Sequence, residues 1–361
     1  MGKNLVRVAI LGQGRSGRDI HGRYLFSAKD KYMIVAACDV LPDRQKRAAQ
    51  EYGCDVYSDY REILKRKDID LFVNALPSHL HACVTEEILN AGFNVLCDKP
   101  LAKKVKEVDR LIKTAKKKKK LLAIFQQSRY SPAFQQIKKI IKSGVLGRIV
   151  QISIAYNGFS RRWDWQTLQR FYGGSLLNTG PHPLDQALNL LNTDKMPEVT
   201  CTMDRVNTYG DAEDYVKILL RTPGKPLIDL EISSCCAYPC FNYNIQASRG
   251  GLKGTLTHLE WKYYKPQEAP ERKLQTSPLA QPDGTPAYCS ETLKFYEEKW
   301  DLPEQQKDLF MTMTDAFYNM LYDSIVRGKK LEITPQQVRQ RMPQAEQKHI
   351  QKVKKIKLIS F

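Results

Sequence analysis

The sequence lacks a long apolar run. No stretch of it approaches the roughly 20 apolar residues that a helix needs to span a bilayer. The N-terminal MGKNLVRVAILG passes directly into a strand-like run, without a signal-peptide cleavage pattern. These absences argue against a membrane-spanning or secreted class, so we predict a cytoplasmic protein that has no membrane partner.

Paired cysteine spacings are absent too. The 9 cysteines form an odd number and are scattered through strand-like and helix-like segments, as expected of reduced thiols rather than a disulfide framework. CCAYPC, which holds Cys235, Cys236 and Cys240, is the only cluster, and no second Cys/His pair stands at metal-ligand spacing from it. We therefore predict no metal site.

Acidic residues are scarce beside basic ones, with 39 Asp and Glu against 57 Lys and Arg and a net charge of +18. Much of the excess stands in two blocks, KTAKKKKK at 113–120 and QKHIQKVKKIK at 347–357. No helix-turn-helix, zinc-finger or RNP pattern accompanies them. We interpret both blocks as solvated surface, the first as the last turn of a helix, and predict no nucleic-acid partner.

Strand-like and helix-like segments alternate through the first part of the chain. Short apolar runs predict strands at 6–11, 33–39, 70–76, 93–99 and 121–127. Amphipathic segments such as HACVTEEILNAG predict helices between them. This alternation is typical of a parallel, doubly wound sheet. We predict an α/β domain over residues 1–127.

Strands follow one another with little helix between them in the rest of the chain, at 148–157, 198–207, 214–222, 227–233 and 241–249. Such an order favours a mostly antiparallel sheet, which predicts an α+β domain over 128–361 whose terminal segment packs back on the first domain. DLFMTMTDAFYNMLYDSIVRG and TPQQVRQRMPQAEQ predict two late helices. The segment 260–300 is rich in Pro, Tyr and charge, and is interpreted as an insertion.

Three glycines stand between the first predicted strand and the following helix, in VAILGQGRSGRDIH. Gly12, Gly14 and Gly17 complete a G-x-G-x-x-G, which allows a tight turn, close approach of a pyrophosphate and packing of helix on strand. The alternative is a plain strand–turn–helix. The pattern favours dinucleotide binding, with predicted contacts from Gly12, Gln13, Gly14, Arg15 and Ser16.

Asp39 closes the second predicted strand. A carboxylate at this place accepts both ribose hydroxyls of an adenosine and repels a 2′-phosphate. We therefore predict that Asp39 binds the cofactor and that NAD is favoured over NADP, although Arg44 stands close enough in sequence to leave NADP open.

Pro77 and Lys99 end the third and fourth predicted strands, within NALPSHLHACVTEEILNAGFNVLCDKPLA. Doubly wound folds bind their ligands at this carboxyl edge of the sheet. Pro100 keeps Lys99 extended. We predict that Lys99 points into the crevice beside the nicotinamide, the alternative being a solvated loop lysine.

GGSLLNTGPHPLDQAL spaces three polar residues by four and by three positions. On a helix, Asn178, His182 and Asp185 therefore share one face. A histidine at the start of an otherwise apolar helix is either a satisfied core residue or a group with a chemical role, and these spacings leave both open.

Together, these motifs resemble those of the Gfo/Idh/MocA oxidoreductases. The chain has the glycine loop, P-x-x-x-H from Pro77 to His81, D-K-P at 98–100, and a second-domain motif at 173–185. The resemblance implies a Rossmann domain joined to a domain with a large open sheet that mediates homo-oligomerisation. It also implies NAD(P)-dependent chemistry on sugars, inositols and related polyols. The further cofactor contacts expected on this basis are Asn74, Pro77, His81, Asp98, Lys99 and Gln127.

Two positions depart from the family pattern. Asp98 stands where the family has Glu, and Asn178 stands where it has Asp. An amide cannot act as a base, although it can hydrogen-bond a substrate hydroxyl, so the proton-transfer role moves to His182 and Lys99. We expect His182 to take the hydroxyl proton, with a pKa near 7. Lys99 is expected to polarise the oxygen, and Asp185 to orient the substrate or the imidazole.

The stretch GFSRRWDWQTLQRFYGG directly precedes the second-domain motif. Aromatic faces stack on sugar rings and charged groups bind hydroxyls, so this stretch predicts a sugar pocket, with packing at the domain junction as the alternative. The substrate contacts predicted from it are Arg161, Arg162, Trp163, Asp164 and Trp165.

These residues predict an NAD-dependent dehydrogenase that oxidises a secondary ring hydroxyl of a sugar or glycoside to a ketone. RRWDWQTL resembles bacterial enzymes that oxidise the C3 hydroxyl of plant glycosides. A first alternative is a hydrolase or epimerase that recycles bound NAD through a 3-keto sugar. A second is a non-enzymatic, ligand-sensing regulator, against which the intact Lys99 and His182 argue.

Overall fold

The computed structural model describes residues 5–193 and 195–339. Its first sheet consists of six parallel strands in the order β3-β2-β1-β4-β5-β6. The strands are β1 (Val6–Leu11), β2 (Tyr32–Cys38), β3 (Asp55–Tyr57), β4 (Leu71–Asn74), β5 (Asn94–Cys97) and β6 (Leu122–Ile124). Because the strand order reverses between β1 and β4, a crevice opens at their carboxyl ends.

The connections of this sheet are helical. A π-helix, Arg15–Gly22, follows the glycine loop, and α5 ends in the lysine block with Lys119 in the left-handed conformation. The α-helices are α1 (Arg23–Ser27), α2 (Pro42–Tyr52), α3 (Tyr60–Ile63), α4 (His81–Asn90) and α5 (Val105–Lys118). The prediction that the first basic block is a helical C-terminal turn is confirmed.

The second sheet has eight strands in the order β14-β13-β12-β11-β7-β10-β9-β8. Only β7 and β10 pair in parallel within it. The strands are β7 (Ile149–Asn157), β8 (Glu198–Asp204), β9 (Tyr215–Arg221), β10 (Leu227–Ser233), β11 (Tyr243–Ala247), β12 (Gly250–Gly254), β13 (His258–Tyr264) and β14 (Phe295–Asp301).

Helices cover one face of the second sheet. These are α6 (Pro132–Ser143), the short α7 (Ser175–Asn178) and α8 (Pro181–Leu191). Ile137 of α6 and Leu184 of α8 share a buried cluster with alternate residues of β9 and β10. The apolar alternation that predicts these strands therefore places α8 directly on the sheet, with its first turn toward the first domain.

The last long helix, α9 (Leu309–Val326), packs on the first domain rather than on the second sheet. Phe317 and Tyr318 are fully buried against side chains of β1 and β2. Arg339 also forms an ion pair with Asp109 of α5. The chain thus returns to its first domain after completing the second sheet.

The predicted fold class, a parallel doubly wound sheet followed by a mostly antiparallel one, is confirmed. β3 and β12 were not predicted from the sequence, and the segment interpreted as an insertion, 260–300, has strands at both ends, β13 and β14, that pair with each other. Most side chains of β14 are exposed, so its sequence lacks the apolar alternation that would predict a strand.

Some predictions remain as they were. The domain boundary after residue 127 stays a prediction. The second basic block lies outside the described residues, as does the predicted helix beyond residue 339. In the described part of the chain, no helix has both the length and the apolar character required to cross a membrane.

Candidate active site

The glycine loop leaves room for a ligand on one side only. A Cβ on Gly12, which has a φ of +87°, would lie 2.7 Å from the carbonyl oxygen of Ala75, and one on Gly17 would lie 1.7 Å from that of Gly12. At Gly14 the nearest atom would be Arg44 Nη1, at 3.7 Å. Gly12 and Gly17 are therefore required by the fold, whereas Gly14 faces the open side on which a pyrophosphate would approach.

Asp39 lies at the end of β2, beside this loop. Its carboxylate accepts hydrogen bonds from the backbone N–H of Gln13 (2.7 Å) and of Leu41 (3.0 Å). Arg44 lies 3.4 Å from the same carboxylate. The carboxylate is thus fixed at the mouth of the crevice, with a guanidinium beside it.

Asp98 links the glycine loop to the loop after β5. It accepts hydrogen bonds from the hydroxyl of Ser16 (2.6 Å) and from the backbone N–H of Lys99 (2.7 Å). Burial raises its pKa, but the charges of His21 and Lys99 outweigh burial and hold the pKa below its usual value. Asp98 therefore carries a negative charge directly beneath Lys99.

Lys99 crosses from the first domain to the second. Its ammonium donates hydrogen bonds to the main-chain oxygen (2.7 Å) and the side-chain oxygen (3.3 Å) of Asn178. Burial lowers the pKa of Lys99, Asp98 opposes that shift, and Arg15 and Arg162 add to it. The substitution of Asn for Asp at 178 thus leaves the ammonium with an amide partner rather than a carboxylate.

His182 lies in the first turn of α8, and its Nδ1 is 3.0 Å from Ser128 Oγ. When Nδ1 carries the hydrogen and donates a hydrogen bond to Ser128 Oγ, Nε2 is unprotonated and can accept a proton. Burial, followed by the charge of Lys99, lowers the pKa of His182 to about 3. The expected value near 7 is therefore not found, and the ring is neutral at physiological pH.

The segment 126–129 carries the groups that hold α8 in place. The amide of Gln126 donates to the Pro181 carbonyl (2.6 Å), and the amide of Gln186 donates to the Ser128 carbonyl (2.9 Å). Arg129 forms a two-point ion pair with Asp185. These bonds fix the position of the first turn of α8, and with it His182, relative to the first domain.

Asp185 therefore has surroundings different from those expected. It is fully buried, and both of its oxygens accept from Arg129, a residue that no sequence motif pointed to. Arg129 in turn donates to Gln337 Oε1 at 2.7 Å. A substrate contact through Asp185 stays a prediction, whereas its packing beneath the site is observed.

A polar cavity of about 170 Å³ opens beside Asn178. Hydroxyl, amide and carboxylate groups from both α7 and the loops at the ends of the second-sheet strands line it. Its lining includes Arg162, Ser175, Asn178, Thr179, Glu213 and Ser234. Glu213 and the hydroxyl residues were not singled out from the sequence, because they stand far from the recognisable motifs.

The predicted sugar contacts of the stretch GFSRRWDWQTLQRFYGG lie partly in the lining of this cavity and partly around it. Arg162 lines the cavity and forms an ion pair with Asp164 (2.8 Å). Trp163 is 78% exposed, and the Arg161 guanidinium stacks on Tyr209. Trp165 meets Phe171 edge to face, with ring centroids 6.3 Å apart. Of the five predicted sugar contacts, only Arg162 belongs to the cavity lining.

The other predicted cofactor contacts lie at the carboxyl edge of the first sheet. Asn74 is fully buried and donates to the carbonyl of His81 (3.2 Å) and to Thr85 Oγ1 (3.1 Å). Gln127 is buried, and its Oε1 has no hydrogen-bond partner among the described residues. Pro77 precedes the turn that starts α4. Their contacts with a cofactor stay predictions.

No group of three or more His, Cys, Asp or Glu side chains in residues 5–193 and 195–339 is arranged to hold a metal ion. The thiols of Cys235 and Cys236 are half-buried and that of Cys240 is exposed.

Acid is expected to destabilise the protein through two buried histidines. Burial lowers the pKa of His182 to about 3 and that of His21 to about 4. Below the unfolded-state pKa of about 6.5, the unfolded chain binds more protons than the folded one. Each ring should therefore remove about 1.4 kcal/mol of unfolding free energy per pH unit as the pH falls from about 6.5 to about 5.

Urea denaturation across that pH range measures this slope. His182→Gln, which keeps a hydrogen-bonding amide but cannot titrate, should reduce it by about 1.4 kcal/mol per pH unit. A slope identical in the two proteins would show that His182 is not a neutral buried ring in the folded state.

Two family models match this chain. The model of an oxidoreductase family with an NAD-binding Rossmann fold matches residues 6–126, and that of the GFO/IDH/MocA C-terminal domain matches residues 134–253. An uncharacterized oxidoreductase of Schizosaccharomyces pombe is 31% identical over 225 residues, and the match covers 61% of each chain. The chain thus spans about three fifths of the length of that relative.

Two other similar proteins have named ligands or activities. Inositol 2-dehydrogenase of Salmonella typhimurium is 27% identical, over 69% of this chain and 72% of the relative. The WlbA dehydrogenase of Bordetella pertussis, solved in complex with NADH and UDP-GlcNAcA, has the same fold, with a TM-score of 0.74 at 19% identity over 96% and 97% of the two chains. The two domain models together match more than half of the chain, which therefore belongs to the Gfo/Idh/MocA oxidoreductase family.

Proposed function

We propose that this protein is an NAD-dependent dehydrogenase that oxidises a secondary ring hydroxyl of a sugar, glycoside or cyclic polyol to a ketone. The observation that carries the proposal is the meeting of Lys99, Asn178 and His182 beside a polar cavity, at the carboxyl edge of a dinucleotide-binding sheet. Similarity to an inositol 2-dehydrogenase supports an alcohol substrate bearing several hydroxyls.

The glycine loop from Gly12 to Ser16 would hold the pyrophosphate, and Asp39 would bind the adenosine ribose. The steric limits at Gly12 and Gly17 and the open side of Gly14 fit this cofactor. Bound NAD supplies a hydride acceptor, and the protein supplies binding, orientation and proton transfer.

Residues of the protein supply proton transfer and stabilise the charge that develops on the substrate oxygen. When the substrate C–H bond is broken with loss of hydride, the hydroxyl O–H must lose its proton as the carbonyl forms. Neutral His182 accepts that proton at Nε2, in the tautomer whose Nδ1–H donates to Ser128 Oγ. The Lys99 ammonium stabilises the negative charge that develops on oxygen, and Asn178 holds the ammonium in place.

The polar cavity favours a hydroxyl-rich ring over an apolar alcohol. Asn178, Thr179 and Glu213 offer both donors and acceptors within it. Oxidation at C3 of a glycosyl group is our specific proposal for the reacting position. Homo-oligomerisation through the second sheet and a cytoplasmic location remain predictions from the sequence.

A substrate screen tests the proposal. Monosaccharides, glycosides and inositols are incubated with the protein and NAD, and the absorbance of reduced nicotinamide is followed. We expect turnover of at least one cyclic polyol, and no turnover of simple aliphatic alcohols. Absence of any nicotinamide reduction across the panel, by protein shown to bind NAD, would reject the dehydrogenase and favour recycling of bound cofactor or a regulatory role.

NAD is expected to be preferred over NADP. Asp39 lies where it would accept the ribose hydroxyls and repel a phosphate. Asp39→Ser should relax this preference, and Arg44→Ala is the matched control, since it removes the neighbouring cation that would favour a phosphate. Binding constants for both cofactors measure the effect. A preference of about tenfold for NADP in the unaltered protein would contradict the assignment.

A further inference from the structure

Both ring nitrogens of His81 contact backbone carbonyl oxygens. Its Nδ1 lies 2.7 Å from the carbonyl oxygen of Pro100, and its Nε2 lies 2.7 Å from the carbonyl oxygen of Leu76. The side chain is 2% exposed, so water does not replace either partner. A carbonyl oxygen only accepts hydrogen bonds. Both ring nitrogens must therefore donate, and only the imidazolium form has two N–H groups.

We infer that His81 is a protonated positioning residue that ties together the two loops at the carboxyl edge of the first sheet. Leu76 follows β4 and precedes Pro77, and Pro100 directly follows Lys99. One ring thus connects the loop expected at the nicotinamide with the loop that carries the cationic residue of the site.

The polar groups around the ring support a cation at this place. Cys97 at the end of β5 and Asp98 after it face the ring, as does the Pro100 carbonyl. His79 on the turn before α4 and the fully buried His21 are the neighbouring titratable rings, and the pKa of each is lowered. Burial lowers the pKa of His81, but Cys97, Asp98 and the carbonyl outweigh burial and raise it to about 9.

The ring also receives support from its own helix. Asn74 donates to the backbone carbonyl of His81 and to Thr85, which fixes the first turn of α4 against β4. The imidazolium therefore projects from a helix start that hydrogen bonds fix, and it bonds to both loops. A Lys99 loop held in this way keeps its ammonium at Asn178 without any contact from the substrate.

Nitrogen NMR of the protein labelled with ¹⁵N-histidine tests the charge state directly. The chain has 6 histidines, and comparison with a His81→Gln sample identifies the signals of residue 81. We expect both of its ring nitrogens to be protonated at about pH 7.5 and to titrate together toward the value given above. One unprotonated ring nitrogen at that pH would overturn the inference, whatever the protein catalyses.

Two variants test the positioning role, and this part rests on the proposed function. Asparagine offers an amide N–H near the place of Nδ1, which preserves the bond to Pro100, whereas glutamine reaches toward the place of Nε2 and the bond to Leu76. We expect His81→Gln to lower kcat on the order of ten- to hundredfold through displacement of Lys99. His81→Asn should lower kcat less than His81→Gln does, because it keeps the bond to the loop that carries Lys99.

The pH profile separates positioning from mere stability. Loss of the His81 proton should weaken turnover at alkaline pH in the unaltered protein. The contribution of His81 to this limb should be absent from His81→Asn, in which residue 81 cannot titrate, whereas deprotonation of Lys99 lowers turnover in both proteins. Equal losses of kcat in the two variants, or an alkaline limb unchanged in His81→Asn, would contradict the role. If no sugar is turned over by the unaltered protein, the proposed function fails, while the NMR result still decides the charge of His81.

Discussion

Replacing His182 with alanine is expected to lower turnover on the order of a hundredfold or more, with NAD affinity nearly unchanged. The ring contacts Ser128 Oγ through Nδ1, so we expect its loss to remove a proton acceptor rather than a cofactor contact. Turnover with the substrate found in the screen and fluorescence titration of NAD measure the two effects separately.

Two further variants serve as controls for this result. Ser128→Ala removes the partner of Nδ1 and leaves the ring, so it should lower turnover less than His182→Ala does. Lys99→Met is expected to impair turnover and also to weaken cofactor binding, because Lys99 lies next to Asp98 and the glycine loop. If His182→Ala retains near-normal turnover, the base lies elsewhere, and Lys99, whose pKa is lowered, becomes the candidate.

Replacing Arg129 with methionine is expected to cost about 3–5 kcal/mol of unfolding free energy, the usual effect of removing one partner of a buried ion pair. The side chains of Arg129 and Asp185 are 8% and 0% exposed, so water cannot replace the guanidinium. The same change removes the bonds of Arg129 to the 332–337 segment. Urea denaturation at neutral pH measures the loss.

The double variant Arg129→Met with Asp185→Leu is the matched control. It removes both charges and replaces them with apolar groups of similar size, so it should recover much of the lost stability. The activity of the double variant shows whether packing alone, without the ion pair, holds α8 in its working position. A single variant as stable as the unaltered protein would show that the ion pair contributes little to the attachment of α8.

Local sequence signals were sufficient for most of the fold and for part of the site. Gly12 and Gly17 could be placed because a tight turn and a close backbone approach leave no room for a side chain, which is a local constraint. The parallel strands were predictable because buried strands are continuous apolar runs. Lys99 and His182 were found through the motifs that surround them.

Features of the fold and site that have no local sequence pattern could not be predicted. β14 carries mainly exposed charged residues and is a strand because its backbone pairs with β13. Glu213 lines the cavity from the loop before β9, and no motif near it in the chain predicts a site. Sequence patterns report which residues avoid water, but an edge strand or a polar pocket residue is specified by partners distant in the chain.

The sequence by itself determined the succession of a parallel and a mostly antiparallel sheet, the glycine loop and the chemical types of the site residues. The tertiary structure alone decided what those residues do to one another. Asp185 and Arg129 stand 56 positions apart in the chain, yet they meet in the interior, where the carboxylate anchors α8. Burial beside Lys99 likewise moves the pKa of His182 away from its ordinary value. Both effects depend on desolvation and on distances between side chains, which exist only once the chain has folded.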